Sequence, residues 1–125
     1  QAFVEVIERV VADVRPDRVY GHCQEDLHQN HVAAARCTLI ACKRVPDVLS
    51  FRLPSTTTAF QPNTFSDISD IIGEKVSLVA NFESQANKDY MTREWILAVA
   101  MYHAIEARMP IGTYAEAFFA ERRML

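Results

Sequence analysis

The chain has 125 residues, of which 50% are apolar and 23% charged, with only three Gly and five Pro. That composition excludes collagenous, low-complexity and disordered classes and fits residues 1–125 as a single domain with one core. Thirteen basic against sixteen acidic side chains leave a formal charge of −3 and a pI near 5.8, so net charge draws no polyanion and nucleic acid is not an expected partner.

Phe3, Val6, Ile7, Val10, Val11 and Val14 recur at spacings of three and four, with Glu5, Glu8, Arg9 and Asp13 between them. The pattern predicts an amphipathic helix. It should stop at Arg15-Pro16, because proline disfavours helical geometry in the residue before it. Arg18-Val19-Tyr20-Gly21 reads as a short buried strand entering a polar loop. Asp26 then begins a helix as its capping residue, with Gln29 reaching back three residues later, the pattern of a capping box. The Ala- and Leu-rich stretch to about Lys43 continues it.

Residues 47–53 and 63–69 are the next strand candidates, separated by a Pro- and Thr-rich loop over 54–62. Asp70 is placed to cap a helix running to about Glu83, and a longer helix is predicted from about Thr92 to Arg108, ended by Pro110 and Gly112. Residues 114–119 are apolar and aromatic enough for a final strand, followed by a charged tail. Strands alternating with helices predict an α/β fold with an at least partly parallel sheet. Three or four strands leave such a sheet incomplete, since parallel sheets are normally covered on both faces. The chain also opens on Gln with helical periodicity already under way, so N-terminal strands are expected to be missing. The open edge is then expected to meet either that segment or a second copy of the chain.

Three cysteines, Cys23, Cys37 and Cys42, are an odd set in a chain large enough to fold without disulfides, and they point to a reducing cytoplasm. No apolar run approaches the roughly 20 residues that span a bilayer, and no signal sequence opens the chain. No membrane partner is expected.

The chemical anomaly is a cluster: His22, His28 and His31 fall within ten residues, with Cys23, Glu25 and Asp26 among them. Spacing i, i+3 puts His28 and His31 on one helical face. The positive helix N-terminus disfavours imidazolium and keeps these rings in the neutral, metal-binding form. The end of the preceding strand is where open α/β folds place ligands. The same residues also read as solvated polar groups at a helix start. Cys23 is either a thiolate ligand or a small buried hydrophobe, and Cys37, Cys42 and His103 read as packing residues. His22, Cys23, Asp26, His28 and His31 contain enough donors for a complete local metal site, unless capping commits Asp26 to the backbone.

Arg15-Pro16-Asp17 before a strand, Glu25-Asp26-Leu27-His28-Gln29-Asn30-His31, Pro54-Ser55-Thr56-Thr57, Phe60-Gln61-Pro62-Asn63, Asp67-Ile68-Ser69-Asp70, Glu83-Ser84-Gln85 and Tyr114-Ala115-Glu116-Ala117-Phe118 resemble, in that order, the C-terminal half of PIG-L/LmbE-type zinc-dependent N-deacetylases. The resemblance covers nearly the whole chain. It implies a Rossmann-like three-layer α/β fold and hydrolysis of an N-acetyl group from an amino sugar of the N-acetylglucosamine type or a related small conjugate. By motif, His31 looks like the single zinc ligand from this half, and His28 like the imidazole that stabilises the oxyanion or protonates the leaving amine. His22 and Asp26 are expected on the substrate side. The chain departs from the family pattern at Asn30, where Asp is common. It also has no His-Pro-Asp-Asp motif, which in the family supplies two ligands and the general base. A non-catalytic binding or interaction domain is the rival expectation. The 54–62 loop, Ser84 and Gln85 are either pocket-lining or merely solvated.

Overall fold

A computed structural model describes residues 2–125. Its elements in chain order are α1 (Ala2–Val14), β1 (Arg18–His22), α2 (Gln29–Ala41), β2 (Asp47–Phe51), β3 (Thr64–Asp67), α3 (Ile72–Ala80), α4 (Arg93–Glu106) and β4 (Ala115–Arg123). The strand order is β1-β2-β4-β3. β1 and β2 are parallel, from Arg18 opposite Asp47 to His22 opposite Phe51, and β2 and β4 are antiparallel with a bulge at Val48/Leu49. The fold is therefore α/β with a mixed sheet, as the alternation of elements predicts. Two compact units emerge, residues 1–64 with 118–125, and residues 65–117.

In the first unit, α1 ends as expected before Pro16, with Arg15 at φ 51° and its N–H bonded to the Val11 carbonyl at 2.8 Å. Ile7, Val11, Val19 and Leu39 pack on a buried cluster of Cys42, Val45 and Val48. The apolar stripe of α1 is wider than that contact, and Phe3, Val6, Val10 and Val14 remain exposed. β1 is not the buried strand expected: it lies at one end of the strand order, so Val19 turns inward while Tyr20 is 53% exposed. Gly21 lies close under α2, where an added Cβ would come within 3.1 Å of the Thr38 methyl. That approach lets the helix sit directly over the strand end carrying His22.

β4 runs four residues beyond the expected Phe119, and the charged tail belongs to it. Arg122 donates to the Cys42 and Val45 carbonyls at 2.8 and 3.2 Å, and Glu121 accepts the buried Ser50 hydroxyl at 2.8 Å. These polar ties hold charged residues in a strand that hydrophobicity alone ends too early.

In the second unit, Asp70 is not the helix cap expected. The chain leaves β3 through a turn in which the Asp67 carboxylate accepts the Ser69 N–H and hydroxyl at 2.9 and 2.6 Å. Asp70 then lies inside a 3-10 turn, and α3 starts after Ile71 with no side-chain cap. α3 also stops at Ala80, and Glu83–Gln85 forms a separate 3-10 turn. α4 follows expectation, capped by Thr92, whose hydroxyl accepts the Trp95 N–H. Its Ile96, Ala100, His103 and Ala104 are buried. Among the described residues no helix is long and apolar enough to cross a membrane.

Candidate histidine site

The site lies where β1 ends and α2 begins, within the first unit. α2 starts at Gln29, and its N-cap is His28, whose Nδ1 accepts the Asn30 N–H at 3.2 Å. Asp26 is therefore not the cap of a capping box. It sits one turn earlier, and its Oδ1 accepts the His28 N–H at 2.8 Å, an Asx turn that aims the chain into the helix.

The 23–28 loop is joined to the loop after β2 by backbone pairs. Leu27 N–H meets the Ser55 carbonyl at 3.1 Å, Thr57 N–H meets the Glu25 carbonyl at 2.8 Å, and Asp26 and Thr56 form an isolated bridge. This seam buries the Asp26 carboxyl group to 1% exposure with Oδ2 3.2 Å from His31 Nδ1. Thr56 Oγ1 is 3.4 Å from the same oxygen. Burial alone pushes the Asp26 carboxyl up, but the His28 N–H, the Ser55 hydroxyl and His31 outweigh it and hold it below the usual carboxylate range.

The three imidazoles form a stack. His31 is central, 4.4 Å between ring centroids from both His22 and His28, with interplanar angles of 9° and 18°. Phe51 tilts against His22 at 5.0 Å. The i, i+3 spacing thus brings His28 and His31 together as expected, although His28 stands just outside the helix. His22 has its Nδ1 buried without a hydrogen-bond partner among the described residues. Burial, and then the neighbouring His31, lower its pKa below the ordinary histidine value.

The partners at Nδ1 set the two central rings apart. His31 Nδ1 lies 3.2 Å from both the Asp26 carboxylate and the Ser55 hydroxyl; the carboxylate only accepts, and so favours a proton on that nitrogen and a bare Nε2 in neutral His31. His28 Nδ1 accepts a backbone N–H, so neutral His28 carries its proton on Nε2. Adjacent rings of one stack present opposite groups, a lone pair and a donor.

His31 suits one metal coordination position, because a carboxylate on Nδ1 is the partner that orients and strengthens an Nε2 ligand. The wider local set does not assemble. Cys23 is buried, and burial raises its thiol pKa; its Sγ turns to Thr56 Oγ1 and the Glu25 carbonyl, each at 3.7 Å. Asp26, expected toward substrate, has its carboxylate turned into the protein. Nitrogen lone pairs lie in their ring planes, and near-parallel planes keep them from converging. Among the described residues no group of three or more His, Cys, Asp or Glu is arranged to hold an ion.

In the sequence Ser55 and Thr56 stand in a loop and in the Pro54-Ser55-Thr56-Thr57 segment of the resemblance, with no role assigned to either. Their contacts with Asp26 and His31 span 24 to 30 residues, and no local spacing signals them. Ser84 and Gln85 fall in the second unit.

No protein-family model matches the chain. It is 32% identical over 62 residues to the uncharacterized deacetylase YaiS of Escherichia coli (strain K12), an alignment covering 50% of this chain and 34% of YaiS. Among solved structures it is similar to GalB, the 4-carboxy-2-hydroxymuconate hydratase of Pseudomonas putida, with a TM-score of 0.79 and 18% identity over 99% of this chain and 60% of GalB. It is similar also to a conserved protein of Thermus thermophilus, TT1542, with a TM-score of 0.79 and 20% identity over 98% of this chain and 59% of that one. The chain thus spans about a third of YaiS and about three-fifths of each solved chain. At these identities, what it shares with the two solved structures is the α/β fold.

Proposed function

We propose that this chain carries part of the site of a zinc-dependent deacetylase, acting on an N-acetylglucosamine-type or related small conjugate. The observation that carries the reading is the pair of opposite partners at Nδ1, a backbone N–H on His28 and a carboxylate on His31. Amide hydrolysis at a metal needs a lone-pair donor to hold the ion and a proton donor beside it. His31 would offer Nε2 to zinc, with Asp26 and Ser55 fixing the ring from behind. His28 would direct its Nε2–H at the oxygen or nitrogen where charge develops, as oxyanion donor or acid for the leaving amine. Bound zinc would polarise the amide carbonyl and lower the pKa of water.

The similarity to YaiS over half the chain favours deacetylation. The fold by itself does not choose, since GalB is a hydratase. Three unpaired thiols favour a reducing compartment such as the cytoplasm. The second reading is a non-catalytic binding or interaction domain, favoured by Asn30 where the resembled family commonly has Asp.

Acetate release from a panel of N-acetylglucosamine conjugates separates the two. The chain is assayed with zinc, alone and joined to an N-terminal segment bearing His-Pro-Asp-Asp. The joined protein is expected to release acetate. His31→Ala should abolish release, and His28→Ala should lower it by about 10²–10⁴-fold. A folded, zinc-loaded joined protein that releases no acetate from any conjugate removes the enzyme reading.

A further inference from the structure

Two donors are fixed against the Asp26 carboxylate. Oδ1 receives the His28 N–H at 2.8 Å. On the other side, Thr56 Oγ1 is 3.4 Å from Oδ2. That hydroxyl already accepts from Leu53 N–H at 2.8 Å and from the Cys23 thiol at 3.7 Å, so its own proton is left for Asp26. With its acceptor capacity used twice, Thr56 cannot turn round. The remaining approach to Oδ2 is His31 Nδ1 at 3.2 Å, and the Ser55 hydroxyl is 3.2 Å from that same nitrogen. A bare Nδ1 there would set a lone pair against a buried carboxylate, a costly pairing away from water. Asn30, the position where the resembled family commonly has Asp, is exposed on α2.

We infer that Asp26 is the positioning residue of His31: held by Thr56 and the His28 N–H, its carboxylate fixes the Nδ1–H tautomer and turns Nε2 outward as a lone-pair donor. The carboxylate behind the ring thus comes from position 26. The loop after β2 takes part, because Ser55 and Thr56 complete the shell around the carboxylate. This deepens the zinc reading and rests on it only for the use made of Nε2; the tautomer itself does not depend on metal.

The test is long-range ¹H–¹⁵N correlation NMR of the uniformly ¹⁵N-labelled, metal-free chain in alkaline buffer, where imidazoles are neutral. His31 is expected to show a protonated, pyrrole-type Nδ1 and a pyridine-type Nε2, and His28 the reverse. In Asp26→Ala the acceptor is removed and the Ser55 hydroxyl is left as the neighbour of Nδ1, and the two His31 nitrogen signals should exchange character. Asp26→Glu should keep the native pattern at least in part, and Ser55→Ala should keep it fully. A pyridine-type Nδ1 on His31 in the native chain overturns the inference, even if no variant folds. So does a native pattern that survives Asp26→Ala or is lost in Ser55→Ala. Added zinc then reads the other claim separately. A His31 Nε2 signal that zinc does not move, with the tautomer as expected, removes the ligand reading and leaves the positioning role of Asp26 intact.

Discussion

His28 and His31 are the same residue three positions apart, and their surroundings make them chemically opposite. One has its Nδ1 taken by a backbone donor and the other by a carboxylate. His22 is distinct again, since burial, followed by the neighbouring His31, depresses its pKa. A histidine depressed in the native state is protonated first in the unfolded chain. Its contribution to stability is therefore present above about pH 6.5 and lost as pH falls through the native value. His22→Phe keeps a ring in the stack without the titration. Urea melts taken from about pH 8 down to 5.5 should show the native chain losing more stability than His22→Phe. Parallel losses would count against burial as the cause. Asp26 acts in a lower window, because its depressed carboxyl contributes stability that is present above about pH 4 and lost as pH falls further.

At the scale of elements, α1 and α2 show how periodicity and packing part company. α1 carries apolar residues over a broad stripe, yet only Ile7 and Val11 are packed on the Cys42–Val45–Val48 cluster, while Val10 is 54% exposed. Val11→Ala should then cost about 1 kcal/mol, below the usual range for a fully buried aliphatic truncation. Val10→Ala should stay within about 0.5 kcal/mol of the native chain. Denaturant melts of the two variants check this, and equal losses would show that the exposed half of the stripe is packed too. In α2 the histidine at the N-cap displaced Asp26 from that role, because the seam with residues 53–57 claims the carboxylate.

For the molecule as a whole, the polypeptide leaves the first unit after Thr64 and re-enters it at Phe118, so the last strand residues pair with β2 far back in sequence. Metal binding is the property that tests the completeness of the site at this scale. A chain offering one bare imidazole nitrogen backed by a carboxylate should hold zinc weakly, since durable sites draw on three or four protein ligands. Elemental analysis of the dialysed chain is expected to find far less than one zinc per molecule. Near-stoichiometric zinc that disappears on His22→Ala or Cys23→Ala would show a complete local site and sink the half-site reading.

The sequence by itself determined what depends on neighbours along the chain. The helical stripe of α1 and its stop at Pro16, the start of α4 near Thr92, the alternation that makes the fold α/β, and the meeting of His28 with His31 all follow from spacings of a few residues. Only the tertiary structure decided the role of Asp26. In sequence its carboxylate stands just ahead of a helix start and reads as a cap, but in the fold Ser55 and Thr56 close over it from about thirty residues on and turn it to His31. It also decided that Glu121 and Arg122 belong to β4, by bonds to Ser50, Cys42 and Val45 that span more than 70 residues. Local propensity is written in adjacent residues. Which donor satisfies a buried acceptor is settled only when distant loops are brought against it, where leaving either group unpaired is costly.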